Sequence, residues 1–251
     1  MSNSTLVNYT KLSPNCTAPR QSRIDTITIH CYAAQVTAYQ GLRGAGFTKY
    51  DRVKGTSCNY VVGKDGKIGL CVDESNRSWC SSNRANDHRA VTIEVASDST
   101  PPYAVTDKAY KALINLVADI CKRNNIIKLV WSDARKDRVN HLNGCNMTVH
   151  RDYAKKACPG EYLMSHMADI AEQANKLIGD YPYGDAVNPY RVLVTATQLR
   201  IRTGPGTSYK SIGYIKPGKH TITAHGYGAG ASVWGKVPGV GWISLDYAQR
   251  L

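Results

Sequence analysis

No stretch of this sequence comes near the roughly 18 consecutive apolar residues that a membrane-spanning helix needs, so insertion into a bilayer is not expected. Residues 1–16 lack the apolar core of a secretory signal. The expectation is therefore a chain made and held in the cytoplasm, with any export by another route. The eight cysteines, at 16, 31, 58, 71, 80, 121, 145 and 158, form no C-x-x-C pair and follow no regular spacing. Without an oxidising destination, buried thiols are favoured over a disulfide framework. Internal repeats and low-complexity tracts are missing too.

Acid is scarce at the end of the chain. Residues 191–251 hold 8 Lys/Arg against one acid, Asp246, a net +7. Residues 1–179 hold 24 Lys/Arg and 16 Asp/Glu, a net +8, and 180–190 contribute −2 through Asp180 and Asp185. Cationic density thus concentrates in the final quarter. That implies a polyanionic partner, whether nucleic acid, acidic membrane or anionic cell wall. An Arg-rich helix and a base-stacking motif are both lacking, which disfavours nucleic acid.

The 251 residues suffice for one good core and a second, smaller one. Strand signals fall at Thr26–Cys31, 59–62, 67–72 and 91–96, with Lys64-Asp65-Gly66 as a hairpin turn. The stretch 106–124 sets Ala109, Leu113, Leu116, Val117, Ile120 and Cys121 on one helical face. The stretch 161–178 does the same with Leu163, Met167, Ile170, Ala171, Ala174 and Leu177, after a Pro159-Gly160 break. Apolar strands mixed with two long helices predict an α/β domain over 1–179: a mixed central sheet flanked by helices. The stretch 180–190, with Pro182 and Pro189 and no periodicity, reads as a linker. Over 191–251, short β-branched runs at 192–195, 199–202, 221–224 and 242–245 alternate with Gly-rich turns, predicting a small all-β barrel or sandwich.

The chemistry concentrates around one motif. In Asn146-Met147-Thr148-Val149-His150-Arg151-Asp152-Tyr153-Ala154-Lys155-Lys156-Ala157-Cys158-Pro159-Gly160, a histidine and a cysteine stand eight apart, with Lys156 two before the cysteine. His30 closes the apolar run Ile27-Thr28-Ile29. His30, His150 and Cys158 make three zinc ligands, the number that leaves a fourth position open for water. Alone, His30 reads as a hydrogen-bonded core histidine and Cys158 as a buried thiol; together, with Lys156 and Pro159-Gly160, they read as a site. His88, His141 and His166 have no comparable context and are expected at the surface or beside a ligand.

Thr28-Ile29-His30, Cys58-Asn59-Tyr60-Val61-Val62 with Asp65-Gly66, Thr92-Ile93-Glu94-Val95, His150-Arg151 and Lys156-Ala157-Cys158-Pro159-Gly160 together resemble the type 2 N-acetylmuramoyl-L-alanine amidases over residues 20–178. That family includes phage endolysins and shares its fold with peptidoglycan recognition proteins. The resemblance implies one zinc ion and hydrolysis of the amide joining muramic acid to the first alanine of the stem peptide. His30, His150 and Cys158 fall on its zinc ligands, Glu94 on its proton-handling acid and Lys156 on its oxyanion-stabilising position. Other members carry a tyrosine where this chain has Cys58, which moves proton transfer onto Glu94. Glu94 also reads as a strand carboxylate turned to solvent and paired with a surface base.

The segment Leu199-Arg200-Ile201-Arg202-Thr203-Gly204-Pro205-Gly206-Thr207-Ser208-Tyr209, with Gly241-Trp242-Ile243, looks like a bacterial SH3-like wall-binding domain. Tyr209, Tyr214, Tyr227, Trp234, Trp242 and Tyr247 offer flat contact surfaces, with Tyr209 expected to be exposed for wall binding and Trp242 in the core. The expected whole is a zinc amidase tethered to a wall-binding module, an endolysin that waits in the host cytoplasm until lysis. Its partners are peptidoglycan and anionic wall polymers. The alternative is a non-catalytic peptidoglycan-binding recognition protein; the presence of Cys158 argues against it, because members that only bind lack this ligand.

Overall fold

In a computed structural model, which describes residues 3–124, 126, 128–178 and 185–251, the chain divides into two units, Met1–Gly179 and Asp180–Leu251. The strands of the first unit are Tyr9–Thr10 (β1), Cys16–Thr17 (β2), Thr26–Cys31 (β3), Tyr60–Val62 (β4), Ile68–Leu70 (β5), Arg77–Ser78 (β6), Ala90–Val95 (β7) and Met147–Val149 (β8). Its helices are Ala38–Gly41 (α1), Ala45–Thr48 (α2), Arg84–Arg89 (α3), Asp107–Arg123 (α4), Arg135–Asn140 (α5) and Gly160–Ile178 (α6).

Six strands form one mixed sheet in the order β1-β5-β4-β7-β3-β8. β4, β7, β3 and β8 run parallel, while β5 returns antiparallel to β4 across the expected hairpin. β3 is buried at all six positions, as a parallel strand covered on both faces should be. Successive side chains on a strand point to opposite faces. Ile27, Ile29, Val91, Ile93, Met147 and Val149 therefore share one face, and all six are fully buried. Thr28, Thr92 and Thr148 share the other, and their hydroxyls are paired rather than solvated. Thr28 Oγ1 and Thr148 Oγ1 are 2.8 Å apart, Asn86 Nδ2 donates to Thr28 Oγ1 at 3.0 Å, and Thr92 Oγ1 meets Ser78 Oγ at 2.7 Å. One face is a hydrocarbon layer and the other a closed polar network.

Helix α4 starts at the Thr106 cap, whose hydroxyl accepts from Ala109 N at 3.2 Å, and carries Lys122 and Arg123 at its end, where cations suit the dipole. It packs against α6, β4 and β7. Leu113, Leu116 and Ile120 from α4 and Leu163, Met167 and Ile170 from α6 are fully buried. Burying each such side chain contributes about 1.5–3 kcal/mol. The α6 face departs from expectation at its end: Leu177 is 45% exposed, and Ile178 takes the buried position one turn after Ala174. All eight cysteines are free thiols, five of them buried.

The second unit is an antiparallel sheet of Asp185–Val194 (β9), Arg200–Arg202 (β10), Ser211–Tyr214 (β11), Gly218–Gly228 (β12), Ala231–Val237 (β13), Gly241–Ser244 (β14) and Ala248–Arg250 (β15). The order is β11-β10-β14-β13-β12-β9-β15. Val192, Val194, Leu199, Ile215, Ile222, Val237 and Ile243 form its core. Trp242 is buried as expected, but Trp234 is buried too, at 3% exposure, rather than offering a free surface. Of the stretch read as a linker, residues 180–184 lie outside the described residues, whereas 185–190 are already strand. Pro189 is tolerated there because Ile222 pairs with Tyr190 and Ala224 with Ala186, so β9 places extra residues opposite β12. A bulge of this kind is where a proline fits inside a sheet.

Candidate active site

The carboxyl ends of three adjacent parallel strands define the site. His30 on β3 stands in register with Glu94 on β7, and Ile29 is in register with Val149, the last residue of β8. His150 therefore leaves its strand beside His30; the two rings lie 4.9 Å apart between centroids. Cys158 arrives from the turn before α6, where its Sγ accepts from Cys31 N at 3.3 Å and sits 3.5 Å from His30 Nδ1. Ligands at the carboxyl ends of parallel strands are the rule in α/β sheets.

His30, His150 and Cys158 bring one donor atom each to within 4.8 Å of one another. Tetrahedral bonds of about 2.0–2.3 Å separate neighbouring donors by about 3.3–3.8 Å, and the His30–Cys158 distance falls in that range. The second nitrogen of His150 is already engaged: Nε2 lies 3.1 Å from Ser82 Oγ, which leaves Nδ1 for a metal. Ser82 holds a left-handed backbone (φ 61°) just ahead of α3. His30 is fully buried, and its pKa is pushed down to about 3, by burial first and by His150 second. It is a neutral imidazole, the form that ligates. Burial, and then the charge of Lys156, lower the pKa of His150 as well. The Cys158 thiol is pushed up, first by its hydrogen bond with the Cys31 thiol and then by burial, and a cation must be present to hold it as thiolate. Neutral imidazoles beside a thiol that needs a cation fit one zinc.

Glu94 is not turned to solvent beside a surface base. Its side chain is 17% exposed, Oε1 lies 3.9 Å from both His30 Nδ1 and Cys80 Sγ, and Oε2 is buried without a hydrogen-bond partner among the described residues. Burial pushes its pKa up to about 8, with Cys31 and Cys71 adding to the rise. A carboxyl poised there can both take and return a proton near neutral pH. A cavity of about 260 Å³ opens beside it, lined also by Cys31, Tyr32, Phe47 and Thr56. Lys156 is exposed and reaches the site through its charge on His150. Cys58 is wholly buried, packed with Val61, Cys71 and Val72.

The remaining histidines stay outside these clusters. His88 is buried rather than at the surface, and its Nδ1 accepts from Gln21 N at 3.1 Å. His141 binds the Cys145 carbonyl and His166 that of Tyr162. In the second unit, Tyr209 is half-buried against the Gly204-Pro205-Gly206 turn, where a Cβ on Gly204 would meet its ring at 2.5 Å. A cavity of about 540 Å³ in that unit is lined instead by Arg200, Arg202, Trp234 and Tyr247 among others.

Two features escaped the sequence reading. Ser82 is four residues from Asn86 and far in sequence from every ligand, so only the fold reveals it. Strand β8 did carry a signal: Thr28-Ile29-His30, Thr92-Ile93-Glu94 and Thr148-Val149-His150 repeat one pattern of threonine, aliphatic and functional residue.

The profile of the N-acetylmuramoyl-L-alanine amidase family matches residues 20–161. The chain belongs to that family, whose members hydrolyse an amide bond of peptidoglycan. No curated protein matches it. Among solved structures it is similar to a selenomethionine derivative of AmpD, at 18% identity and a TM-score of 0.49, covering 67% of this chain and 96% of that one. A mutant endolysin from Bacillus subtilis shares 19% identity at a TM-score of 0.44, covering 69% and 99%. The N-acetylmuramoyl-L-alanine amidase LysC from Clostridium intestinale shares 17% at 0.40, covering 65% and 95%.

Proposed function

We propose that this chain cleaves the amide between N-acetylmuramic acid and L-alanine in peptidoglycan as a zinc enzyme, with His30, His150 and Cys158 as ligands. The observation that carries this reading is the convergence of these three donors beside a buried carboxylate. When bound, zinc supplies Lewis acidity and makes water a nucleophile near neutral pH. Glu94 accepts the proton of the attacking water at its carboxylate and returns it to the alanine nitrogen, which cannot depart as an anion. Lys156 faces the oxyanion charge that develops on the carbonyl, an interaction stronger in the transition state than in the ground state. Ser82 fixes the His150 ring, and the mostly buried setting of Glu94 keeps competing water from its proton.

The second unit is read as an SH3-like module that holds the enzyme on the cell wall through its positive charge, Tyr209 lying beside its binding face. The division of labour over 1–179 and 191–251 is that of an endolysin, held in the host cytoplasm until lysis and then acting on the wall. The test is digestion of purified peptidoglycan by protein stripped of metal and by protein reloaded with one equivalent of zinc. Mass spectrometry should find new amino-terminal alanine with the reloaded protein alone. Equal digestion after complete zinc removal overturns the metal reading, and cleavage at another bond overturns the substrate assignment.

A further inference from the structure

The second unit's cavity is lined by two arginines and, among the described residues, by no acid, and its chemistry extends the wall-binding reading, on which this inference rests. Arg200 and Arg202 are two apart on β10 and share a face, about 6.6 Å apart along the strand. Ile201 between them turns to the core. Arg202 is fixed in place: one terminal nitrogen donates to Thr207 O at 3.0 Å and Tyr209 O at 2.7 Å, and its guanidinium lies 6.0 Å from the Trp234 ring. Its Nε is buried without a hydrogen-bond partner among the described residues. A guanidinium held in place on the wall of the cavity is a prepared oxyanion contact. Arg200 stands 5.9 Å from the Tyr214 ring, and Tyr247 at the rim is 62% exposed.

What lines the rest of the cavity is as informative. Thr197, Gln198 and Ser244 offer neutral polar groups, and no acidic side chain lines it among the described residues. Asp246, the one acid of residues 191–251, accepts from Ser232 N at 2.9 Å instead. A lone carboxylate would satisfy one arginine. Two arginines in series, with neutral polar groups and a tyrosine face around them, match repeated single charges separated by an uncharged, hydroxyl-bearing spacer.

We propose that this cavity binds a phosphodiester wall polymer of the polyol-phosphate class, its successive phosphates on Arg200 and Arg202 and its polyol on Tyr247. Binding of this kind weakens as salt rises, because the chain displaces counterions from the polymer. The test titrates the full chain with purified poly(glycerol phosphate), free of peptidoglycan, by calorimetry. Arg200→Gln and Tyr247→Ala should each weaken binding at least about five-fold, the worth of one charge-assisted or stacking contact. Lys219→Gln removes the same charge from an exposed site outside the cavity and should change affinity less than about two-fold. Circular dichroism confirms that each variant is folded.

Three results overturn the proposal: no binding by the wild type, an equal loss in Lys219→Gln, or tighter binding to phosphate-free muropeptides or to a single-stranded oligonucleotide of equal charge. Hydrolysis of a soluble muramoyl peptide, measured on the same proteins, should be unchanged in Arg200→Gln and Tyr247→Ala. Failure of the amidase reading therefore shows in that assay and not in the titration.

Discussion

Ser82 Oγ and His150 Nε2 lie 3.1 Å apart, although the two residues stand 68 positions apart in the chain. The contact fixes both the ring orientation and the nitrogen left for a metal. Partners of this kind typically hold about 10–100-fold in metal affinity. Ser82→Ala should lower zinc affinity by that factor, measured by competition with a chromophoric chelator, without displacing any ligand. Unchanged affinity would show that the His150 ring is held by packing alone.

Glu94→Gln keeps the shape of the side chain and removes its proton chemistry. Hydrolysis of purified peptidoglycan should fall about 10²–10⁴-fold while zinc content stays at one per chain. Loss of zinc together with activity would instead make Glu94 a ligand.

The same variant tests the buried carboxyl's effect on stability. The pKa of Glu94 is raised from 4.5 to about 8 in the folded chain. Between those values the metal-free folded state holds a proton that the unfolded state has released, so stability falls as pH rises through the window. In chelator, the wild type should lose on the order of 1–3 kcal/mol relative to Glu94→Gln between about pH 5 and pH 8, read from urea midpoints. Parallel pH profiles would mean the carboxyl is solvated.

Asp152 and Arg138 form an ion pair at 2.6 Å, with side chains 0% and 4% exposed, and Asp152 Oδ2 also accepts from Val149 N at 3.0 Å. This carboxylate ties down the turn that delivers His150. Asp152→Ala leaves a guanidinium buried without its charge partner and should cost about 3–5 kcal/mol in chemical denaturation. Replacing both members by apolar residues should recover much of the loss. A single-variant cost below about 1 kcal/mol would show that the pair is dispensable.

A chain ending at Gly179 should hydrolyse a soluble muramoyl peptide at the full-length rate yet be retained poorly on intact walls. Tethering acts through local concentration, not through the chemistry. A matching loss of activity on the soluble substrate would show that the second unit completes the catalytic one.

Much of this was legible in the sequence because it rests on period. The face made by Ala109, Leu113, Leu116, Val117 and Ile120 of α4 is buried throughout, and β3 matches its predicted range from Thr26 to Cys31. His30, His150 and Cys158, singled out together from their combined context rather than one by one, do lie within 4.8 Å of one another at their donor atoms. Period failed where elements are short: β8 has three residues and α1 four, too few for a repeat to register. It also failed where tertiary pairing overrides local preference, as at Pro189 inside β9. Tyr209 shows a third limit, since a ring beside glycines can as readily cover their turn as face solvent.

The repeated threonine–aliphatic–functional pattern on three neighbouring strands ties folding and chemistry to the same alignment. If β3, β7 or β8 slid by a single residue, an isoleucine or valine would take the place of a histidine or the glutamate, and a polar side chain would be driven into the hydrocarbon layer. Mispaired chains are thus inactive and unstable at once.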